Sequence, residues 1–187
     1  MTTKTRATIE DLYHVEGKAE IVNGEIVYMS PTGEGPIYAA GEIFASLRQH
    51  AKLTRHGRAV TDGAGFQVDL PNRESFSPDA AFLVSPRRNQ RERMRFFKGA
   101  PAFAAEVRSE GDYGPAAELA LAEKRADYFA AGTGVVWDVD LLSDDVVKVY
   151  RSTAPDQPTV YGRGQSAEAE SAVPGWTMAV DELFEPE

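Results

Sequence analysis

Hydrophobic and polar positions alternate with a period of two along much of the chain and change to helical spacing in two places. Ala19-Glu20-Ile21-Val22, Asn23-Gly24 and Glu25-Ile26-Val27-Tyr28-Met29 predict a β-hairpin, because Asn-Gly supplies the positive-φ pair of a two-residue turn. That register sets Ile21 opposite Ile26 and Glu20 opposite Val27. Glu20 then lies on the more polar face, either as a solvated strand residue or as an extra acid reaching a site. A capped helical turn at Thr8 to Leu12 precedes the hairpin. Beyond a Gly/Pro loop, Ile37, Ala40, Phe44, Leu47 and Ala51 recur at helical spacing and predict an amphipathic helix over 37–52, with Glu42 and Arg48 toward water.

Residues 65–70 alternate and stop at Pro71-Asn72, which predicts a strand and a turn; 76–84 predicts the next strand, with Pro78 tolerated near its start. Alternation puts Asp79, Ala81 and Leu83 on one face and Ala80, Phe82 and Val84 on the other. An acid therefore heads an otherwise apolar face and wants a partner. In the strand over 102–108, Phe103, Ala105 and Val107 form a bulky face, while Ala102, Ala104, Glu106 and Arg108 form a face of small residues ending in two charges. Those small neighbours leave room for a ligand beside Glu106, or Glu106 and Arg108 form a terminal ion pair. Pro115 to Ala131 predicts a second helix, with Gly132 ending it. Lys124 falls on its core-facing stripe with Ala117, Leu121, Tyr128 and Ala131, so it must snorkel to the rim or meet a buried carboxylate. Strands over 134–140 and 146–150, a weaker one at 159–161 and a terminal turn at 181–184 complete the pattern, a sheet flanked by helices of the α/β or α+β class.

Composition narrows the function classes. The length of 187 residues and the absence of repeats or composition shifts predict a single domain over 1–187, and 42% hydrophobic with 26% charged residues excludes bulk disorder. No cysteine is present, which removes thiol nucleophiles, disulfides and Cys-ligated zinc. No run spans a bilayer and Met1 to Arg6 carries no apolar leader, so the expectation is a cytoplasmic protein without a membrane partner. A formal charge of −9 argues against coating nucleic acid, yet Arg87, Arg88, Arg91, Arg93, Arg95 and Lys98 form a basic segment opposed only by Glu92. This is either a solvated loop or a grip on the DNA backbone.

Candidate chemistry lies in the acids at the strand ends. If the strands bearing Asp79 and Glu106 are neighbours, the two carboxylates can share one divalent cation, Mg²⁺ or Mn²⁺, because the donors are hard oxygens. Such an ion acidifies a water and offsets charge on a scissile phosphate, with Lys124 positioning the water or stabilising the transition state. His14, His50 and His56 show no metal-ligand spacing, and neither a Gly-x-Ser-x-Gly elbow nor a phosphate-binding Gly-Lys-Ser/Thr loop occurs. The leading expectation is a metal-dependent DNA endonuclease. The alternative is a non-catalytic module that binds DNA or a protein partner on a degenerate nuclease fold.

Ser-Pro-Asp at 77–79, Glu-Val-Arg-Ser at 106–109, Glu-Lys-Arg-Ala-Asp-Tyr-Phe-Ala-Ala-Gly around Lys124, Val-Val-Trp-Asp-Val-Asp at 135–140 and Pro-Gly-Trp at 174–176 stand in order along the chain. Together with Glu20-Ile21-Val22-Asn23-Gly24, this series resembles the Uma-type "putative restriction endonuclease" family of the PD-(D/E)xK nuclease superfamily. The resemblance implies a restriction-endonuclease-like core, a central mixed sheet with flanking helices and the N-terminal hairpin, with Asp79 and Glu106 as metal ligands. It also implies that the catalytic lysine, which elsewhere in the superfamily follows the second acid by two residues, is supplied by Lys124, since Arg108 occupies that place. Pro101-Ala102 departs from the family's Pro-Asp before the second acid, and the family's His near the start of the first long helix is missing around 36–38. A homodimer is expected if the reaction cuts both strands of a duplex, since that needs two active sites.

Overall fold

Asn23 and Gly24 take φ values of 53° and 75° and close the hairpin in the predicted register, with Ile21 opposite Ile26 and Glu20 opposite Val27. This computed structural model describes residues 6–84 and 88–186. In chain order, a one-turn helix α1 (Ile9–Leu12) precedes the hairpin strands β1 (Ala19–Val22) and β2 (Glu25–Tyr28). Helix α2 (Glu34–Thr54) then leads to β3 (Arg58–Thr61), β4 (Phe66–Leu70), β5 (Arg73–Phe76) and β6 (Ala80–Leu83). After a 3₁₀ turn at Glu92–Met94 come β7 (Phe97–Lys98), β8 (Phe103–Val107), helix α3 (Pro115–Ala130), β9 (Val135–Val139), β10 (Val147–Arg151) and β11 (Ala154–Tyr161). The short strands β12 (Ser166–Glu168) and β13 (Thr177–Ala179) precede a final 3₁₀ turn at Val180–Leu183.

The fold is mixed α/β, as the pattern predicts, but the strands divide between two main sheets. A mixed six-stranded sheet runs β11-β10-β9-β8-β6-β3, in which only β8 and β9 are parallel. A five-stranded sheet runs β2-β1-β5-β4-β7 and carries the hairpin. The stretch expected to be one strand over 76–84 is where they join: Phe76 ends β5 in the smaller sheet, and Ala80 starts β6 in the larger one. Pro78 has no N–H to give a ladder, so Ser77-Pro78-Asp79 is a natural place for the chain to change sheets.

The alternation read from β6 and β8 is realised on the two faces of the six-stranded sheet. Ala80, Phe82, Phe103, Ala105, Val107, Trp137 and Val139 pack against Ala39, Ala40, Ile43 and Leu47 of α2. Ala81, Leu83, Ala104 and Val136 face the smaller sheet's Phe66 and Phe76 together with Tyr128 of α3. On α2 the buried stripe is set by Ile43 with Leu47, whereas Ile37 is exposed, because the first turn of the helix lies beyond the packed face. The C-terminal segment closes the α2 side: Trp176 stacks on Trp137 at 4.9 Å between ring centroids, and its indole N–H donates to Ser46 Oγ at 3.0 Å. Among the described residues no helix is long and apolar enough to cross a membrane.

The turn from α2 into β3 depends on Gly57. It has φ +67°, and a Cβ there would lie 2.2 Å from Phe82 Cε1 and 2.8 Å from the Leu83 carbonyl oxygen. Gly57→Ala is therefore expected to lower stability by about 2–3 kcal/mol, combining left-handed strain with overpacking. Urea denaturation checks this, and a loss within the error of the extrapolation would contradict it.

Candidate active site

Antiparallel pairing of β6 with β8 ends at Ala80 opposite Ala105, and the Asp79 amide donates to that same Ala105 carbonyl at 3.1 Å, which holds Asp79 at the strand end next to Glu106. Parallel pairing of β8 with β9 sets Glu106 beside Asp138. Three acids thus stand in a row at the ends of neighbouring strands, an arrangement that repels itself unless each member finds a cation. Each finds a different one.

Asp79 receives Lys18, whose Nζ is 2.8 Å from Oδ1 and 2.6 Å from Asp62 Oδ1 in the turn after β3. The other oxygen of Asp79 accepts the Val107 amide at 2.8 Å, which fixes the carboxylate against the end of β8. Glu106 receives Lys124 from α3, with Nζ 2.9 Å from both carboxylate oxygens, and the Tyr128 hydroxyl donates to its Oε1 at 2.6 Å. Tyr128 is itself pinned, its ring stacked on Phe76 at 4.0 Å between centroids. Asp138 receives Arg108 through two parallel bonds, Nε to Oδ1 at 2.7 Å and Nη2 to Oδ2 at 2.8 Å, and Arg108 also pairs with Glu118 on the first turn of α3.

Glu20 sits behind this row. The reading that left it as a solvated strand residue is corrected: its side chain is 3% exposed and holds together the back of the site. Its Oε1 takes Lys124 Nζ at 3.0 Å and the Ser77 amide at 2.8 Å, and its Oε2 takes Arg73 Nη1 at 2.6 Å. Arg73 in turn pairs with Asp127 on α3 at 2.8 Å, and Asn72 caps the other Asp127 oxygen at 2.8 Å. The segment Ser77-Pro78-Asp79 is therefore tied at both ends, by Glu20 at Ser77 and by Lys18 at Asp79.

Of the two outcomes open to Lys124 on the stripe facing the sheet, snorkelling to the rim or meeting a buried carboxylate, the structure shows the second, with Nζ on Glu106. The alternative pairing of Glu106 with Arg108 does not form, because the guanidinium fork of Arg108 is taken by Asp138 and Glu118. Lys18, Asp62 and Arg73 escaped the sequence reading. Lys18 had a signal: it lies two residues before Glu20, so strand alternation places it on the same face. Asp62 and Arg73 had none, since one reaches the site from the turn after β3 and the other from β5.

Burial pushes the Glu106 carboxyl up to about 7 against the pull of Lys124, and the charges of Asp79 and Glu20 add to the rise. Burial also opposes charge on Glu20, but Lys124, Arg73 and the Ser77 amide together hold its carboxyl below the usual range. Lys124 keeps its proton: burial disfavours it, and Glu106 and Glu20 more than offset that. Burial and the neighbouring acids raise Tyr128, which stays a donor.

The donor chemistry fits a hard divalent cation. The network holds Glu20, Asp62, Asp79, Glu106 and Asp127 against Lys18, Arg73 and Lys124, so carboxylates outnumber cations by two. Among the described residues no group of three or more His, Cys, Asp or Glu is arranged to hold a metal. A cation on Asp79 and Glu106 would therefore complete its shell with water or substrate oxygens, as Mg²⁺ commonly does. None of the histidines contributes; His50 contacts the Pro174 carbonyl at 3.1 Å.

In the basic segment, Arg87 lies outside the described residues. Arg88 donates to the Phe96 carbonyl at 2.8 Å, and Arg95 pairs with Glu10 and lies over the Tyr13 ring. Arg91, Arg93 and Lys98 are exposed. The segment leaves β6 at Leu83 and enters β8 at Phe103, the ends opposite those that carry Asp79 and Glu106.

Arg108 and Glu118 give a test of this electrostatic layout. The Arg108 side chain is 5% exposed and that of Asp138 is 6% exposed, whereas Glu118 is 53% exposed. Arg108→Met leaves a buried carboxylate unpaired and is expected to cost about 3–5 kcal/mol. Glu118→Ala removes a solvated partner and is expected to cost under about 1 kcal/mol. Chemical denaturation of both variants checks the contrast, and equal losses would contradict it.

Comparison with known proteins places this arrangement in context. The chain is similar to a crystal structure from Anabaena variabilis described as a putative nuclease belonging to DUF820. The two superpose with a TM-score of 0.72 at 18% identity, over 95% of this chain and 97% of that one. A comparison with the curated proteins gives no match. The model of the Uma2 family, described as "Putative restriction endonuclease", matches residues 7–181, and the chain belongs to that family.

Proposed function

We propose that this chain is a nuclease that hydrolyses phosphodiester bonds in DNA with a divalent cation, Mg²⁺ or Mn²⁺, held by Asp79 and Glu106. The observation that carries the reading is that Asp79 is tied to the backbone of Ala105 and Val107, on either side of Glu106, with Lys124 on Glu106. When bound, the cation would supply Lewis-acid charge at a scissile phosphate and acidify a water. The chain's own residues do the rest. The Val107 amide orients Asp79, and Tyr128 and Lys124 orient Glu106. Lys124, held by Glu20 from behind, supplies a fixed positive charge for the negative charge that develops on the phosphoryl oxygens. Exposed Arg91, Arg93 and Lys98 would contact the DNA backbone away from the acids, positioning it without reading sequence.

A second reading, a nuclease fold kept for binding alone, draws on one fact: both oxygens of Asp79 and both of Glu106 already have partners within the chain. Calorimetric Mn²⁺ titration beside plasmid nicking separates the two. Wild type is expected to bind Mn²⁺ saturably and to nick, and Asp79→Ala and Glu106→Ala are expected to lose both. Binding that survives both substitutions sinks the metal assignment; binding without nicking on any DNA supports the second reading. Lys124→Met is expected to keep metal binding while nicking falls by about 100-fold or more. Arg91→Ala with Arg93→Ala should weaken DNA binding uniformly across sequences and flatten the log-log salt slope by about 2. An unchanged slope would remove the basic segment from the interface.

A further inference from the structure

We propose that Lys18 is an internal counter-cation for Asp79, and that it frees this carboxylate for a divalent cation by shifting wholly onto Asp62. The proposal rests on the metal-binding reading above and adds a positioning pair that the reading does not contain.

The geometry is a three-atom bridge. Lys18 Nζ lies between Asp62 Oδ1 at 2.6 Å and Asp79 Oδ1 at 2.8 Å. Asp79 Oδ2 is held by the Val107 amide, so the ammonium covers the one oxygen not tied to the backbone. An ammonium and a divalent ion on that same oxygen would repel strongly at such short range. Lys18 must therefore yield, and Asp62 is already in place to receive it. The Asp62 carboxylate is preset, since its Oδ1 also accepts the Gly63 amide at 2.8 Å. The flexible lysine stem makes the move without a shift of backbone.

Lys124 contrasts with Lys18. Both bridge two acids, but the second acceptor of Lys124, Glu20, is locked by Arg73 and the Ser77 amide. Lys124 meets both Glu106 oxygens at 2.9 Å and can draw back from a cation there only toward that fixed acceptor, so it remains at the site. Lys18 lies at the rim, with a side chain 20% exposed beside an Asp62 that is 30% exposed. Without metal, Lys18 offsets repulsion between Asp79 and Glu106; with metal, it is the group displaced. A residue with that role lowers metal affinity, which a merely structural lysine would not do.

Mn²⁺ calorimetry on the full chain, with thermal melting to confirm folding, tests the proposal. Lys18→Met is expected to bind Mn²⁺ about tenfold or more tightly, because the competing charge is gone. Asp62→Asn is expected to bind about tenfold more weakly, because Lys18 then has only Asp79 to hold. In the double variant the effect of Asp62→Asn should vanish, since without Lys18 there is nothing to receive. If Lys18→Met does not fold, Lys18→Arg serves instead: its fork should grip Asp79 harder and weaken Mn²⁺ binding. Unchanged or weaker binding in a folded Lys18→Met, unchanged binding in Lys18→Arg, or an Asp62 effect that persists in the double variant would overturn the proposal. If Asp79→Ala abolishes binding and Lys18→Met fails to tighten it, only the lysine proposal falls. If binding ignores Asp79→Ala, the metal reading falls and takes this proposal with it.

Discussion

Three carboxylates set side by side on neighbouring strands are the constraint that orders the rest of this structure. Glu106 and Asp138 pair across β8 and β9 of the six-stranded sheet, and Asp79 stands just before β6 at the end that pairs with β8, so like charges oppose each other at close range. The chain answers each acid from a different direction: Lys18 from the hairpin, Lys124 from α3, and Arg108 from the end of β8 itself. An arginine suits Asp138 because its planar fork matches a carboxylate in two parallel bonds. A lysine suits Glu106 and Asp79 because a point charge can serve two acids at once, and both lysines do.

This division of cations explains why two sheets are needed. The larger sheet presents the row of acids, but two of the charges that balance the network, Lys18 and Arg73, come from the smaller sheet and the segment leading into it. The chain crosses between the sheets at Ser77-Pro78-Asp79, so the first acid of the row sits at the joint. Glu20 binds the Ser77 amide on one side of that joint, and Val107 binds Asp79 on the other. The position of Asp79 is thus set by both sheets together, and an error in packing between them would be felt first at this carboxylate.

What was legible in the sequence follows the range of the interactions. The hairpin register and the two faces of β8 rest on periodicity within a few residues, and each is found as read; on α3 the spacing brings Lys124 and Tyr128 to Glu106, but of the predicted stripe only Tyr128 is buried. Glu106 and Lys124 were legible for the same reason, since each stands on a face that local alternation or helical spacing defines. The partners of Asp79 and Glu20 were not: Lys18 is 61 residues from Asp79 and Arg73 is 53 from Glu20. No local pattern encodes a pairing between segments so far apart in the chain. β3 was missed because its only apolar core is Ala59-Val60, and the break between β5 and β6 was missed because Ala80 to Leu83 is apolar enough to read as a continuation of Phe76. Glu20 stays open between solvent and a site in the sequence because a hairpin taken alone has one wet face; its partner Val27 is indeed exposed, and Glu20 is buried by Lys124, Arg73 and the Ser77 amide.

Helix α3 shows how far charge rather than apolar area sets the site. Of its residues only Asp127 and Tyr128 are buried, and Leu119 is 61% exposed. An amphipathic helix seated by area alone would bury a continuous stripe. This one is held by Asp127 on Arg73, by Lys124 on Glu20 and Glu106, by Tyr128 on Glu106, and at its first turn by Glu118 on Arg108. Each of these contacts joins the helix to an acid of the site or to a cation that balances one. The lysine that serves Glu106 is therefore carried by a helix whose seat depends on Glu106, and neither can be placed without the other.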